Sequence, residues 1–525
     1  MRFNFKLLKR ARVWGPIVAF ATFACVSPPL ESPTPQTMQQ TPIRVAQNIK
    51  NKVDVLFMVD NSNSMSAMSD ELKSRFNEFF KVFQDLASKG TFADLQIGVV
   101  TSDYGAGSTG APGCQPSPGG QQGKLQAVGQ YAQAGCKAPM GANFIKYAFA
   151  ANGNGPNNLP QGQDLVATFT CMASVGAMGC GFEHQLESVY AALHNNLPEN
   201  AGFLRDDALL TVVFLTNEDD SSAPPDTDMF DKNKTAQYGF ESSYRQTRFG
   251  VMCCPPGVQM CDVTQKQLTP YGDSMGPLSG CQAATDPPGL EYEISRYINF
   301  FTKPSMAGGV KVNPSDVILV AIDAPADPVQ VILSNPGTPA GSAYVQCGQL
   351  NEASNPPCVP VLQHSCQNPQ EPQFFGDPAV RLNTVVGAAV NHGVSSICDS
   401  DYTNALQNLA NLIISDIGGG CIPSQLPDPT NPDCVVEDVT RNSDGTTSVS
   451  EIPKCMVTMP YTEPMGWTPQ NDMPAPPGSY PCWTLDNNPN CGAQSPQGVG
   501  VAIHRNGQPA PPNTDASVAC ATIAG

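Results

Sequence analysis

Between residues 51 and 420 the chain alternates between two hydrophobic textures. Short, nearly continuous apolar runs at 53–59, within "DLQIGVVT", at 209–216 and at 317–322 read as strands. Between them lie segments that are apolar on one helical face. Residues 68–86 carry Leu72, Phe76, Phe79, Phe80, Phe83 and Leu86 at that spacing. "GFEHQLESVYAALHNNL" carries Leu186, Val189, Tyr190 and Leu193, and "GLEYEISRYINFF" carries Leu290, Ile294, Tyr297 and Phe301. "YTNALQNLANLIISDIGGG" reads as a last helix closed by glycine. Strands apolar on both faces, alternating with amphipathic helices, predict an α/β, Rossmann-like domain with a mostly parallel sheet and helices on both faces. In such sheets ligands bind beyond the carboxyl ends of the strands.

Three long connections interrupt the pattern, at 103–165, 219–285 and 324–377. They hold most of the mid-chain Cys, Gly and Pro and read as long insertions pinned by disulfides. Cys114 with Cys136, and Cys171 with Cys180, are the local pairings expected. After Cys421 helical periodicity ends, Pro rises and Cys recurs, while "GVGVAIHRNG" reads as a strand. Residues 421–525 are therefore expected to form a small Cys-rich β module, the alternative being an irregular tail wrapped on the main domain.

The amino-terminal segment has a different logic. Arg2, Lys6, Lys9, Arg10 and Arg12 precede a short apolar stretch ending "ATFAC". That stretch falls short of the ~20 apolar residues that span a bilayer, so 1–25 reads as a signal peptide. Small Ala24 directly before Cys25 matches a bacterial lipobox, with Thr22 where Leu is usual, and makes Cys25 the expected lipidation site. Val26 after it agrees with outer-membrane sorting. Residues 26–50, "SPPLESPTPQTMQQTP" among them, read as a Pro/Ser/Thr-rich tether.

Composition narrows the function classes. The formal charge is −18, and such an acidic surface argues against nucleic acid as a partner, because phosphate binding needs Lys and Arg. Nineteen Cys leave an even eighteen once Cys25 carries lipid. No CxxC occurs, so disulfides of an exported protein are expected rather than structural zinc.

The chemistry centres on "VDVLFMVDNSNSM". An apolar strand stops at Asp60, and Ser62 and Ser64 follow at alternate positions before a helix begins. A hard divalent cation such as Mg2+ takes six oxygen ligands, and a carboxylate and two hydroxyls on one tight turn can supply one face of that shell. The same residues can also cap the following helix, so both readings stay open.

Asp60-x-Ser62-x-Ser64 after a buried strand resembles the metal-ion-dependent adhesion site of von Willebrand factor type A domains. Together with "LQIGVVTSD", "GCGFEHQLES", "GFLRDDALLTVVFLTNEDDSS", "SICDSDYTNAL", "IGGGCIPSQLPD" and "PCWTLDNNPNC", it is similar to exported myxobacterial-type lipoproteins that carry this domain. The resemblance implies a von Willebrand type A domain over 51–420 and a divalent cation, usually Mg2+, held by Asp60, Ser62, Ser64 and groups from two further loops. An open position on the cation would take a carboxylate from a partner. Two positions depart from the family: Ala177 stands where Thr precedes "GCGFE", and Asn217 stands where Asp follows "FLT". An amide oxygen at Asn217 can still ligate but brings no charge, and Ala177 brings nothing. Restoring Asp and Thr there is expected to tighten cation binding.

The remaining motifs are weak. His184, His194, His364, His392 and His504 form no HExxH, and His184 reads as a helix-surface or capping residue. "GGQQGK" lacks the phosphate-loop spacing. Glu218, Asp219, Asp220, Asp226 and Asp228 read as a solvated acidic loop. No nucleophile, base and oxyanion site assembles, so no catalytic residue is expected. The expected function is non-catalytic binding or adhesion at the bacterial envelope, toward a protein or surface polymer. The alternatives are a hydrolase or enzyme accessory subunit with its site in the insertions, and a structural component whose metal site has decayed.

Overall fold

The computed structural model describes residues 38–45, 51–88, 92–107, 114, 120–150, 155–239, 243–254, 258, 276–284, 290–334, 358–417, 421–422, 425–441, 446–455, 481–487, 497–505 and 514–523. Cys25 and most of the 26–50 segment lie outside them, as do Cys261, Cys347, Cys491 and the glycines that follow the last helix.

The apolar runs form one six-stranded sheet. Its strands in chain order are Lys52–Val59, Asp94–Thr101, Ile145–Ala148, Leu209–Leu215, Val317–Asp323 and Asn391–Ser396. Across the sheet they run third, second, first, fourth, fifth, sixth. All neighbours pair in parallel except Ile145–Ala148, which lies antiparallel at one edge. This mostly parallel sheet is consistent with a von Willebrand type A-like fold.

Each face of the sheet has its own core. Val53, Val55, Phe57 and Val59 pack against the helices Ser66–Ser88, Leu165–Ala173 and Thr403–Ile417. Leu56, Met58, Val212 and Phe214 point the other way, onto Gln185–His194, Ser295–Thr302 and Val380–Ala388. Alternate residues of one strand thus fill opposite cores, which is why these runs are apolar at every position. The predicted helix over "GLEYEISRYINFF" forms only from Ser295. Its first residues dock instead on the loop after the fourth strand, where Tyr292 N–H donates to Ser222 O at 2.9 Å.

The insertions hold more structure than their composition suggests. Ile145–Ala148 lies in the first, the Ser243–Gly250 helix and the Val251–Cys254 and Ser279–Ala283 strands in the second, and Gln330–Ser334 and Val359–Leu362 in the third. The expected local disulfides are replaced by nested ones, Cys136–Cys171 lying within the loop closed by Cys114–Cys180. Sequence proximity gave way to folding: the Leu165–Ala173 helix carries Cys171 to the loop of Cys136, which leaves Cys180 to face Cys114. All fifteen described cysteines are disulfide-bonded. Disulfides at this density belong to an extracytoplasmic compartment. No described helix is long and apolar enough to cross a membrane.

The carboxyl-terminal region is a β module, with its own core of Val436, Val518, Ile452, Trp483, Val499 and Val501. One of its sheets contains a strand that sequence reading assigned to the tether. Met38–Val45 pairs antiparallel with Thr514–Ile523, which pairs in turn with Cys434–Arg441. Cys434–Cys520 staples that central pair. Residues 38–45 are therefore sheet rather than tether. Strand pairing of this kind depends on a partner nearly 500 residues away and leaves no local signature.

Candidate functional site

The first and fourth strands are neighbours whose connections leave the sheet in opposite directions, so their carboxyl ends form the switch point at which α/β sheets bind ligands. Asp60 follows the first strand and Thr216 and Asn217 follow the fourth. Backbone pairing continues one step past the strands, with Asp60 N–H donating to Leu215 O at 2.9 Å. The register that aligns Val59 with Leu215 therefore sets Asp60 beside Thr216.

Asp60 is fully buried, yet its carboxylate is well met. One oxygen accepts from the Ser62 N–H at 2.8 Å and the Ser102 hydroxyl at 3.0 Å, and the other accepts from the Thr216 hydroxyl at 2.8 Å. The Ser62 and Ser64 hydroxyl oxygens lie 3.1 Å apart, and Ser64 Oγ donates to Asn217 Oδ1 at 2.8 Å. The structure thus brings together Asp60, Ser62, Ser64 and Asn217. It places Ala177 on a loop that docks on the same turn, where Gly179 N–H donates to Asn61 O at 2.7 Å. A Cβ on Gly179 would lie 2.3 Å from Asn61 Oδ1, so only glycine permits that approach. The helix-cap reading fares less well. Ser62 sits at the cap position of the first turn, Asn63–Met65, but its side chain makes no capping bond.

Burial pushes the Asp60 carboxyl above its usual range, against the hydrogen bonds from Ser62, Thr216 and Ser102. Two further carboxylates share the region. Glu183 is buried, pushed well up by burial and then by Asp60, and accepts from Gln246 Nε2 at 2.9 Å. Glu218 is half-buried and pushed well up by burial and then by Glu183. No Lys or Arg is among the strongest influences on these three acids.

Of the acidic loop after Asn217, Asp226 and Asp228 are exposed as expected and Glu218 is half-buried, but Asp219 and Asp220 are buried and committed. Asp219 accepts from the backbone N–H groups of Val380, Arg381 and Leu382, at 3.0, 2.9 and 3.0 Å, and so caps the Val380–Ala388 helix from outside. Asp220 pairs with buried Arg381 at 3.2 Å. Neither can turn toward Asp60 without opening that helix. His184 is likewise no surface residue. It is buried beside Tyr104 and Phe230, makes no side-chain cap, and is pushed down to about 3 by burial.

The insertions do bring a serine, a histidine and an aspartate together. Asp377 accepts from the Ser243 hydroxyl and meets His364 Nδ1 at 2.6 Å. The carboxylate, not the imidazole, meets the serine hydroxyl, which differs from the hydroxyl–imidazole–carboxylate order of a Ser-His-Asp triad. Asp377 N–H donates to Asn217 O at 2.8 Å, so this group braces the strand end of the site.

A divalent cation, which a von Willebrand-like site implies, fits the donor set. Asp60 accepts three of the roughly four bonds an ionised carboxylate can take. Two hydroxyl oxygens and an amide oxygen lie beside it, all hard donors. Asn217 Nδ2 is buried without a partner, which suits a site completed by another oxygen. No group of three or more His, Cys, Asp or Glu side chains among the described residues could hold a metal, so the set is rich in hydroxyls rather than a carboxylate cage. Ser102 escaped sequence reading, though "VVTSD" has the same apolar-to-polar break at a strand end as Asp60.

No protein-family model and no curated protein matches the chain. Among solved structures, the pilus adhesin RrgA from Streptococcus pneumoniae aligns at a TM-score of 0.23 and 9% identity, over 91% of this chain and 57% of that one. This chain therefore spans little more than half of that structure's length, and the overlap is too low to bear on function.

Proposed function

We propose that the protein is a non-catalytic binding protein of the bacterial envelope, a lipoprotein of the myxobacterial type held by lipid on Cys25. Its von Willebrand type A-like domain engages a protein or surface polymer at the carboxyl end of the sheet. Asp60, Ser62, Ser64 and Asn217 hold a divalent cation such as Mg2+ there, and the cation's open position takes a carboxylate of the partner. The observation that carries this reading is the meeting of those four side chains at the carboxyl ends of the first and fourth strands, where an α/β sheet places its ligand. In this role the chain's own residues fix the oxygen donors. Ser102 and Thr216 orient the Asp60 carboxylate, and the Asp377 brace sets Asn217.

The test is capture from native envelope by purified wild-type protein and by Asp60→Ala, each with Mg2+ and with a chelator. A partner held by the wild type in Mg2+ and lost both with chelator and in the variant supports the proposal. Capture that ignores both changes contradicts it.

A further inference from the structure

Asn217 stands where the family supplies a charged ligand, so a site built from Asp60 alone would hold a divalent cation with one negative charge. We infer that Glu183 supplies the second carboxylate of this site, taking over the charge that Asn217 lacks. The inference rests on the cation reading above and assigns a ligand that reading did not contain.

Four observations carry it. Glu183 is buried, and the adjoining His184 N–H donates to Ser102 O at 2.9 Å while the Ser102 hydroxyl donates to Asp60 at 3.0 Å, so both acids flank one serine in a desolvated region, where Asp60 also pushes the Glu183 carboxyl up. Two like charges in such a place repel unless a proton or a cation lies between them, and no Lys or Arg is among the strongest influences on either. The Glu183 carboxylate accepts from Gln246 Nε2 and from its own backbone N–H, fewer bonds than the roughly four an ionised carboxylate can take, so it keeps capacity for a cation.

The second observation is a set of polar atoms left without partners around these acids. Gln246 Oε1 is buried and unpaired, on the same amide that touches Glu183. Asn217 Nδ2 is buried and unpaired, on the amide that touches Ser64. Buried polar groups are nearly always satisfied, and a shared cation with its water supplies what both lack: a positive centre for the oxygen and a water oxygen for the N–H.

The third is rigidity. The Glu183 carbonyl accepts from Ser221 N–H at 2.9 Å and from Ser221 Oγ at 2.7 Å. His184 N–H donates to Ser102 O at 2.9 Å, and Ser102 is itself bonded to Asp60. Cys180, three residues before Glu183, is fixed by its disulfide to Cys114. The fourth is the lack of a competitor: Asp219 and Asp220 are committed to the Val380–Ala388 helix and Arg381. Glu218 is half-buried, and Glu183 rather than Asp60 is its strongest charged neighbour.

The test is Mn2+ binding to the full-length protein, read by electron paramagnetic resonance, in wild type, Glu183→Gln, Asn217→Asp, the double variant, Glu218→Gln and Asp60→Ala. Glu183→Gln should weaken binding by at least about tenfold, the scale seen when a metal site loses a group that orients or charges it. Adding Asn217→Asp to it should restore most of the loss, because the charge returns at the family's position. Glu218→Gln should change affinity little, and Asn217→Asp should tighten binding less in wild type than in the Glu183→Gln background. If Glu183→Gln binds like wild type while Asp60→Ala does not, the inference fails and the cation reading stands. If wild type binds no Mn2+, both fail. Should Glu183→Gln not fold, Glu183→Asp decides: it keeps the charge but draws the carboxylate back by one methylene, so weaker Mn2+ binding supports the inference and unchanged binding overturns it.

Discussion

At the scale of single residues, the structure separates acids that bind from acids that build. Asp219 and Asn217 are two positions apart, yet Asp219 serves a helix end and Asn217 faces Ser64. Asp219→Ala would leave three helix N–H groups without their acceptor. It should cost about 2 kcal/mol of stability, at the upper end of helix-cap losses, and leave cation affinity unchanged. Denaturant midpoints with parallel Mn2+ titrations check both halves, and a fall in affinity with no loss of stability would refute the assignment. Sequence reading found Asp60, Ser62, Ser64 and Asn217 because an apolar strand that breaks into alternating oxygen-bearing residues is a local signal. It misplaced Asp219, Asp220 and His184 because their burial is decided by what folds over them: the Val380–Ala388 helix for the acids, and Tyr104 and Phe230 for the histidine.

At the scale of elements, the strands were legible and the edges were not. The four apolar runs have no other way to be buried than in a covered parallel sheet. Asn391–Ser396, "NHGVSS", is a half-exposed edge strand without alternation, and Leu165–Ala173 is a nine-residue apolar stretch whose periodicity does not distinguish helix from strand. That helix nonetheless fixes the aromatic core under the site. Phe169 stacks on Phe76 and meets Phe57 edge-on. Phe76→Ala should therefore destabilise by about 3–5 kcal/mol, the usual cost of deleting a buried aromatic ring. A thermal melt checks it, and a loss below about 1 kcal/mol, the range of surface changes, would argue against this packing. The nested bridges are tested by peptide mapping of unreduced protein. Cys114 linked to Cys180, and Cys136 to Cys171, are the expected fragments, and Cys171 linked to Cys180 is the contrary result.

At the scale of the whole molecule, the buried charges predict an unusual pH response in the absence of metal. Asp219 is raised to about 6, and Asp60, Glu183, Glu218, Glu291 and Asp323 are raised as well, chiefly by burial. A raised carboxyl binds its proton in the folded state before the unfolded chain does. Stability therefore rises as pH falls through the folded value, and that gain is complete only below the unfolded value of about 4. His184, lowered to about 3, acts oppositely: the unfolded chain takes its proton below about pH 6.5 and the folded one does not. The carboxyls outnumber the histidine, so with chelator present the melting temperature should increase from pH 8 to pH 5. A steady decrease over that range would contradict the burial of these acids.

The claim on which the functional account depends is that Asp60 lies in a cation site and not merely in a turn. Calorimetric titration of Mg2+ into wild type and into Asp60→Ala addresses it most directly, with metal-free melts as the control for folding. The account predicts saturable binding at one site in the wild type, lost in a variant that still melts cooperatively. Equal binding by both proteins, or none by the wild type, would contradict it.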